Sequence, residues 1–508
     1  MQSVVDILTQ PRTIAALVLC ATVLGVVYRR FTRHSLPLPP GPPCDSWIFG
    51  HNLPKSFAYR TFEEWAKTYG PVFALRQGVT TVIVINRQQP AIEIMEHEGS
   101  ALVDRPVSIS AGETLSGGMR TLLTPAGERF KKMRKALHAH LAPKIVQSYI
   151  PILTHSAKEH ILDLIDKPDL HLDHAKRYAA SVVMALAYGK TSVKHDDPDL
   201  AAINRCLHRL GLAVRPGAWK VDVFPFLRYV PGYLDELKEG HKEELNLFRR
   251  SLAHVKGQME RNEPASDSFA KYLLERQSEL GLSDDEIAYL AGSLFGAGTD
   301  TSASAISIAV LAATRYPAAA KRVQNELDRV VGRSRPPTHR DVCEELNELR
   351  AFVLETFRWR PVSAGGFAHK ATRDILWNGY VIPKGATVIG NHWAIGRDPA
   401  LFPDPETFDP QRWLRTDGTI REDLKSFQFG FGRRVCPGQH LALASVLLNT
   451  ALILWTFTLR EDPKHPIDEL AFNESANTHP LPFKVIFEPR AVPTREAIKE
   501  MMEDYEHL

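Results

Sequence analysis

Apolar and polar positions follow two periods along this chain, and the helical one dominates. Apolar residues recur at three- and four-residue spacing through 318–332 and 344–359, which predicts amphipathic helices there. Stretches 72–86 and 375–391, and the late run PFKVIFEP, have strand-like patterning and predict strands. The expectation is a mainly α chain with small β-sheets, an α+β domain. One helix stands apart. Ser283 and Glu286 form a capping box and no proline follows until Pro317. A helix of roughly 48 Å follows from that interval, enough to cross a whole domain. Its middle, FGAGTDTSAS at 295–304, places Gly296 and Gly298 in a helix interior, where each glycine costs about 1 kcal/mol relative to alanine. Such a segment either bulges, lets a ligand approach, or packs closely on another helix.

At the two ends the pattern changes. An uncharged run, 13–28, lies between Arg12 and the group Arg29, Arg30 and Arg33. It spans roughly 24 Å against the ~27 Å core of an endoplasmic reticulum bilayer, and the flanking arginines can snorkel. The basic group behind the run is a stop-transfer signal, so residues 1–35 read as a retained membrane anchor rather than a cleaved leader. LPLPPGPP then makes 36–50 a stiff proline-rich hinge. No repeat, low-complexity tract or second linker interrupts 51–490, which reads as one domain, and 491–508 reads as a charged tail.

Composition narrows the chemistry. The 508 residues are 44% hydrophobic and 24% charged with a net charge of +3, which gives no reason to expect nucleic acid as a partner. Five cysteines (Cys20, Cys44, Cys206, Cys343, Cys436) lack paired spacing, so neither a disulfide framework nor a structural zinc site is indicated. Neither a phosphate loop nor a dinucleotide fingerprint is present. What remains is Cys436, in FGFGRRVCPGQHLALA at 429–444. Positive charge and a helix N-terminus favour a thiolate, and Arg433, Arg434 and the apolar helix from Gln439 supply both. Gly430, Gly432 and Gly438 permit a tight loop that aims N–H groups at the sulfur. All of these predict a lowered thiol pKa and a metal ligand. Without that context, a lone cysteine on an apolar helix is more often a buried packing residue.

The pattern Phe429-x-x-Gly432-x-Arg434-x-Cys436-x-Gly438 resembles, at every defined position, the haem-binding loop of the cytochrome P450 family. The resemblance implies that Cys436 is the proximal thiolate of haem b iron, with Phe429 near the sulfur and Arg434 on a propionate. A thiolate ligand favours cleavage of a bound O–O bond. AGTDTS at 297–302 is similar to the family's oxygen-activation segment, so Asp300 and Thr301 would relay protons and Gly298 would open a groove for dioxygen. ETFR and PETFDPQRW resemble two further motifs, which imply a structural triad of Glu355 with Arg358 and Arg412 as two guanidinium forks. Arg134 matches the arginine of the family's W-x-x-x-R, but Phe130 stands at the tryptophan and removes an indole donor. His369 matches a basic position for the second propionate; an exposed histidine without a ligand is the other reading.

The resemblance to microsomal members implies a monooxygenase on the cytosolic face of the endoplasmic reticulum membrane, held by a single-pass anchor. It would oxidise a lipophilic small molecule with dioxygen and NADPH-derived electrons. This chain has no nicotinamide or flavin fingerprint, so a separate NADPH-cytochrome P450 reductase, with cytochrome b5 as a second donor, would supply them. Lys131, Lys132 and Lys135 would form its docking patch. By the same analogy 217–233 would dip into the bilayer above the pocket, while 107–119, 363–367 and 477–479 would line it. NHWAI is similar to fungal members of specialised metabolism, which points to a terpenoid or polyketide substrate. A haem-thiolate isomerase or dehydratase is a second reading, against which the Asp300–Thr301 pair argues. A non-catalytic haem sensor is a third, and it has no need of that pair.

Overall fold

The computed structural model describes Val18, residues 36–490 except 48, 55, 192, 195, 216, 262 and 264–266, and then 495–503 and Tyr505. The expected anchor therefore lies outside the described residues, apart from Val18. The longer helices are α1 (Ala58–Tyr69), α2 (Glu128–Leu141), α3 (Ile150–Asp166), α4 (His171–Tyr188), α5 (Pro198–Ala213) and α6 (Asp235–Glu260). They continue with α7 (Asp284–Arg315), α8 (Pro317–Val330), α9 (Asn347–Trp359), α10 (Gln439–Thr456) and α11 (Arg495–Glu503).

Helix α7 has 32 residues and starts at the expected capping box, with Ser283 N–H donating to the Glu286 carboxylate at 2.8 Å. Helices α7 and α10 are as long and apolar as membrane spans, yet 72% and 78% of their apolar windows are buried in the domain. Their hydrophobicity is used by the core, as for any helix that is apolar all round. Helix α4, rich in small buried residues such as Ala179, Ala180 and Ala187, packs along α7.

The strands are β1 (Val72–Gln77), β2 (Thr80–Ile85), β3 (His369–Lys370), β4 (Ile375–Trp377), β5 (Tyr380–Ile382), β6 (Thr387–Gly390), β7 (Phe457–Glu461) and β8 (Val485–Pro489). The main sheet has the order β1-β2-β6-β3, parallel only between β2 and β6. β4 pairs with β5, and β7 with β8. Each expected strand region is strand, whereas β3 and β7 were not anticipated. β7 follows α10 without a break, so its apolar residues look like more helix in the sequence.

Both end segments touch the body of the domain. The stiff 36–50 stretch is tied to it by backbone bonds: Pro40 and Pro37 carbonyls accept from Ala74 N–H at 2.8 Å and Val381 N–H at 2.9 Å. The tail contains α11, whose Ile498 and Met502 are buried, followed by buried Tyr505, which donates to Pro337 O at 2.8 Å. A one-sided apolar stripe inside a charged segment docks it on the body.

Burial also sets an acid limit. His160 of α3 is 1% exposed, its Nδ1 bonds Asn449 Oδ1 at 2.7 Å, and burial pulls its pKa from 6.5 to about 4. Between those values the unfolded chain holds a proton that the folded chain lacks. The stabilisation is complete above the upper value and is lost as pH falls toward the lower, at about 1.4 kcal/mol per pH unit. Denaturant midpoints followed from pH 7 to 4.5 are expected to fall less steeply in His160→Gln than in the native protein.

Candidate active site

Gly430 and Gly432 take left-handed φ of 83° and 50°, which turn the cysteine loop back so that Cys436 N–H donates to Phe429 O at 2.8 Å. Gly432 N–H donates to the Glu96 carboxylate at 3.0 Å, and the Phe429 ring meets Phe357 edge-on at 5.8 Å. Gly438 caps α10, and its N–H bonds the Cys436 sulfur. The protein alone nevertheless pushes the thiol pKa up: burial is the largest influence, opposed by the Gly438 N–H and by Arg134. The expected lowering by Arg433 and Arg434 is corrected accordingly. Arg433 is exposed, and Arg434 turns to the carbonyls of Val103 (2.6 Å) and Thr124 (2.9 Å). A thiol in such a place ionises when it meets a metal cation.

Cys436 lines a cavity of about 340 Å³ that α7 borders with Gly298, Asp300 and Thr301. Phe429, Gly438, Arg134, His369 and Arg434 line it too, as does Arg105, which sequence reasoning missed. Every described hydrogen bond of the three arginines ends on a backbone carbonyl: Arg105 on Leu122, Phe367 and Ala368, Arg134 on Val435, Arg434 on Val103, Thr121 and Thr124. Burial first, and repulsion from neighbouring arginines second, pull Arg105 down to about 9; burial and the Arg134 charge pull Arg434 down to about 10 despite Asp104. His369, held by β3 with Nδ1 on Leu102 O at 2.7 Å, is lowered to about 3, by burial and then by Arg105. A buried cationic rim without an ion-paired carboxylate among the described residues fits the two propionates of haem, and the facing sulfur fits its iron. Phe130, at the tryptophan position, packs its ring 3.4 Å from the Arg434 guanidinium and so supports this rim by a cation–π contact.

Across the cavity, the Asp300 carboxylate accepts from Asn477 Nδ2 and bonds His479 Nε2, both at 2.8 Å. Burial alone would raise its pKa, but His479 and Asn477 together hold it below the usual carboxylate range. Thr301 Oγ1 donates back to Ala297 O at 2.8 Å. Ser363, Phe367 and Asn477 line the cavity as expected, whereas no residue of 107–119 does. That segment packs into the roof, where Ser110 N–H donates to Asp222 at 3.0 Å, and Arg120 behind it pairs with buried Glu244.

Gly298 has a packing role as well. Helix α7 runs through it without a bulge, and a Cβ there would collide with Val183 Cγ1 of α4. The glycine permits a close helix crossing and also lines the cavity. Gly298→Ala is expected to cost about 1–3 kcal/mol by overpacking. Val183→Ala in the same chain should recover most of that loss, read as melting temperatures in a double-mutant cycle.

Behind the site, Glu355 is fully buried and grips Arg358 through two bonds of 2.7 Å. Arg412 contributes one bond of 3.3 Å and otherwise binds carbonyls, so it is not a second fork. Trp413 Nε1 and Asp409 N–H, both at 2.9 Å, complete the carboxylate's shell.

Comparison with known proteins agrees with this geometry. The Cytochrome P450 family model matches residues 39–487. Cytochrome P450 monooxygenase 88 of Postia placenta is 53% identical over 90% of this chain and 92% of its own length. Monooxygenase 113 of the same fungus is 51% identical over 95% and 98%. An Armillaria gallica cytochrome P450 monooxygenase is 35% identical over 94% and 95%. A cysteine loop, a cationic rim and a long helix bearing an acid around one cavity, over a match of this extent, place the chain in the cytochrome P450 family as one of its monooxygenase enzymes.

Proposed function

We propose that the enzyme oxidises a lipophilic small molecule of the terpenoid or polyketide kind, at a membrane, with electrons delivered by a separate reductase. The carrying observation is that Cys436 and Asp300 line one cavity whose remaining wall is largely apolar, including Leu207, Leu210, Val214, Val362 and Phe367. Such a wall takes an apolar ligand and offers few polar groups to orient it. Bound to Cys436, haem would supply the centre for splitting dioxygen, with one oxygen atom entering the substrate and the other leaving as water. Arg105, Arg134 and Arg434 would hold its carboxylates, with His369 joining them in the protonated form that a neighbouring carboxylate favours, and the apolar wall would exclude bulk water. Asp300 and Thr301, which line the cavity, would bring protons to it. Incubation with a P450 reductase, NADPH and panels of terpenoid, polyketide and aromatic compounds is expected to give products heavier by one oxygen atom. No such product, from protein with intact bound haem, would overturn the reading.

Two surfaces support the remaining parts of this proposal. Lys131, Lys132 and Lys135 are exposed on α2, and their pairs, such as Lys131 with Glu128, are solvated and weak, so they stay open to an acidic partner. Phe226 (64% exposed) and Tyr229 (81%) project from the α5–α6 connection, and Phe224 there meets Phe49 at 5.9 Å. An apolar face beside the segment that leads to the anchor suits a bilayer surface. Deleting residues 1–30 is expected to move haem-loaded protein into the soluble fraction; retention on membranes would assign the binding to this aromatic face.

A further inference from the structure

The strap 473–481 passes over the middle of α7 and is pinned on both sides. Ser304 Oγ donates to Thr478 O at 2.5 Å, Thr478 Oγ1 to Pro361 O at 3.0 Å, and Asn473 N–H to His479 O at 2.9 Å. Pinned so, it presents one side chain to each oxygen of Asp300: Asn477 Nδ2 to Oδ2 and His479 Nε2 to Oδ1. Asn477 Oδ1 accepts from Ser363 Oγ at 2.9 Å, which fixes the amide with its NH2 toward the carboxylate. Asp300 is therefore an ion at neutral pH, as its lowered pKa also indicates, and it has no proton of its own to give. Lys176 on α4 adds a weaker attraction from outside this cluster.

Asp300 lines the cavity with its side chain 25% exposed, whereas His479 is not among the lining residues and keeps 19% of its own side chain exposed. We propose that His479 is the proton-entry residue of this site, passing its Nε2 proton to Asp300 Oδ1, which releases it into the cavity. The inference rests on the reading of Asp300 as the cavity acid. In each cycle the His479 Nε2–H bond breaks and an Asp300 O–H bond forms, then that O–H proton leaves to a cavity acceptor and restores the carboxylate. The ring turns about Cβ–Cγ and takes the next proton from solvent. One proton crosses the wall and no electron moves, so the electrons still come from the reductase.

Two turnover routes separate this role from that of a mere staple. NADPH with dioxygen draws protons from solvent, whereas cumene hydroperoxide carries its own hydrogen and needs no electrons. In the haem-loaded full chain, His479→Gln keeps a donor to Asp300 but cannot carry a proton. It is expected to slow NADPH-driven dioxygen uptake about tenfold, less than the roughly 10²–10⁴ of a direct acid, and to leave peroxide-driven oxidation of a phenylenediamine dye within about twofold. Equal loss by both routes, or loss by neither, overturns the proposal. Asp300→Asn run beside it separates the failures: loss there alone spares the cavity acid and removes His479, and no loss in either variant removes both. A second readout is independent of turnover. In 15N-histidine-labelled ferrous protein with carbon monoxide, the His479 Nε2–H signal should exchange with bulk water within milliseconds. A protected signal would mark a sealed staple and overturn the proposal.

Discussion

Cys436→Ser is expected to yield a protein that still takes up haem but lacks the red-shifted Soret band of its reduced carbon monoxide complex, and whose NADPH-driven oxidation falls at least about a hundredfold. The first half follows from the rim. Arg105, Arg134 and Arg434 reach the cavity from three different segments, and none of their hydrogen bonds involves the cysteine side chain. The propionates therefore keep their partners when the sulfur goes. The second half follows from the sulfur itself. Burial holds the bare thiol neutral, and only the Gly438 N–H and the Arg134 charge favour its ion, so the thiolate exists because a metal binds it. Serine preserves the volume and the Phe429 loop bond, but it cannot donate comparable electron density. A hundredfold loss is about 2.7 kcal/mol on the barrier, a floor rather than a ceiling here. Persistence of the thiolate band in Cys436→Ser would remove sulfur from the metal and the functional reading with it.

How much of the fold and the site is legible in the sequence depends on whether the deciding contacts are local. The capping box at Ser283 and Glu286 and the cysteine loop are set by residues a few positions apart, so a short window contains their whole physics. Gly298 was open to two readings because the chain cannot say what faces a glycine; Val183 lies on another helix. Arg105 was missed because a single arginine in an irregular loop has no period and no motif. Only the fold carries it to Phe367 and Ala368, far along the chain. The tail was misjudged for another reason. Ile498, Met502 and Tyr505 fall on one helical face, a signal that was present but was outweighed by the charged residues around it.

Arg358→Ala is expected to have the largest effect on stability, about 3–5 kcal/mol. Glu355 has no exposed side-chain surface, and among the described residues Arg358 supplies its only two-pronged partner. Removal leaves a carboxylate facing Trp413 Nε1, Asp409 N–H and one long bond from Arg412, too little to balance a charge taken out of water. The same guanidinium also donates to Gly396 O at 2.9 Å and Pro405 O at 2.8 Å, so the loop that leads toward the cysteine segment loses its tie to α9. Lysine cannot restore this, because a point charge does not reproduce the planar fork. Arg412→Ala should cost far less, about 1 kcal/mol, since it gives Glu355 a single bond of 3.3 Å. Denaturant midpoints and the yield of haem-loaded protein will rank the three. If Arg412→Ala proved as damaging as Arg358→Ala, the carboxylate would be shared equally between two forks, and the one-fork geometry would be wrong.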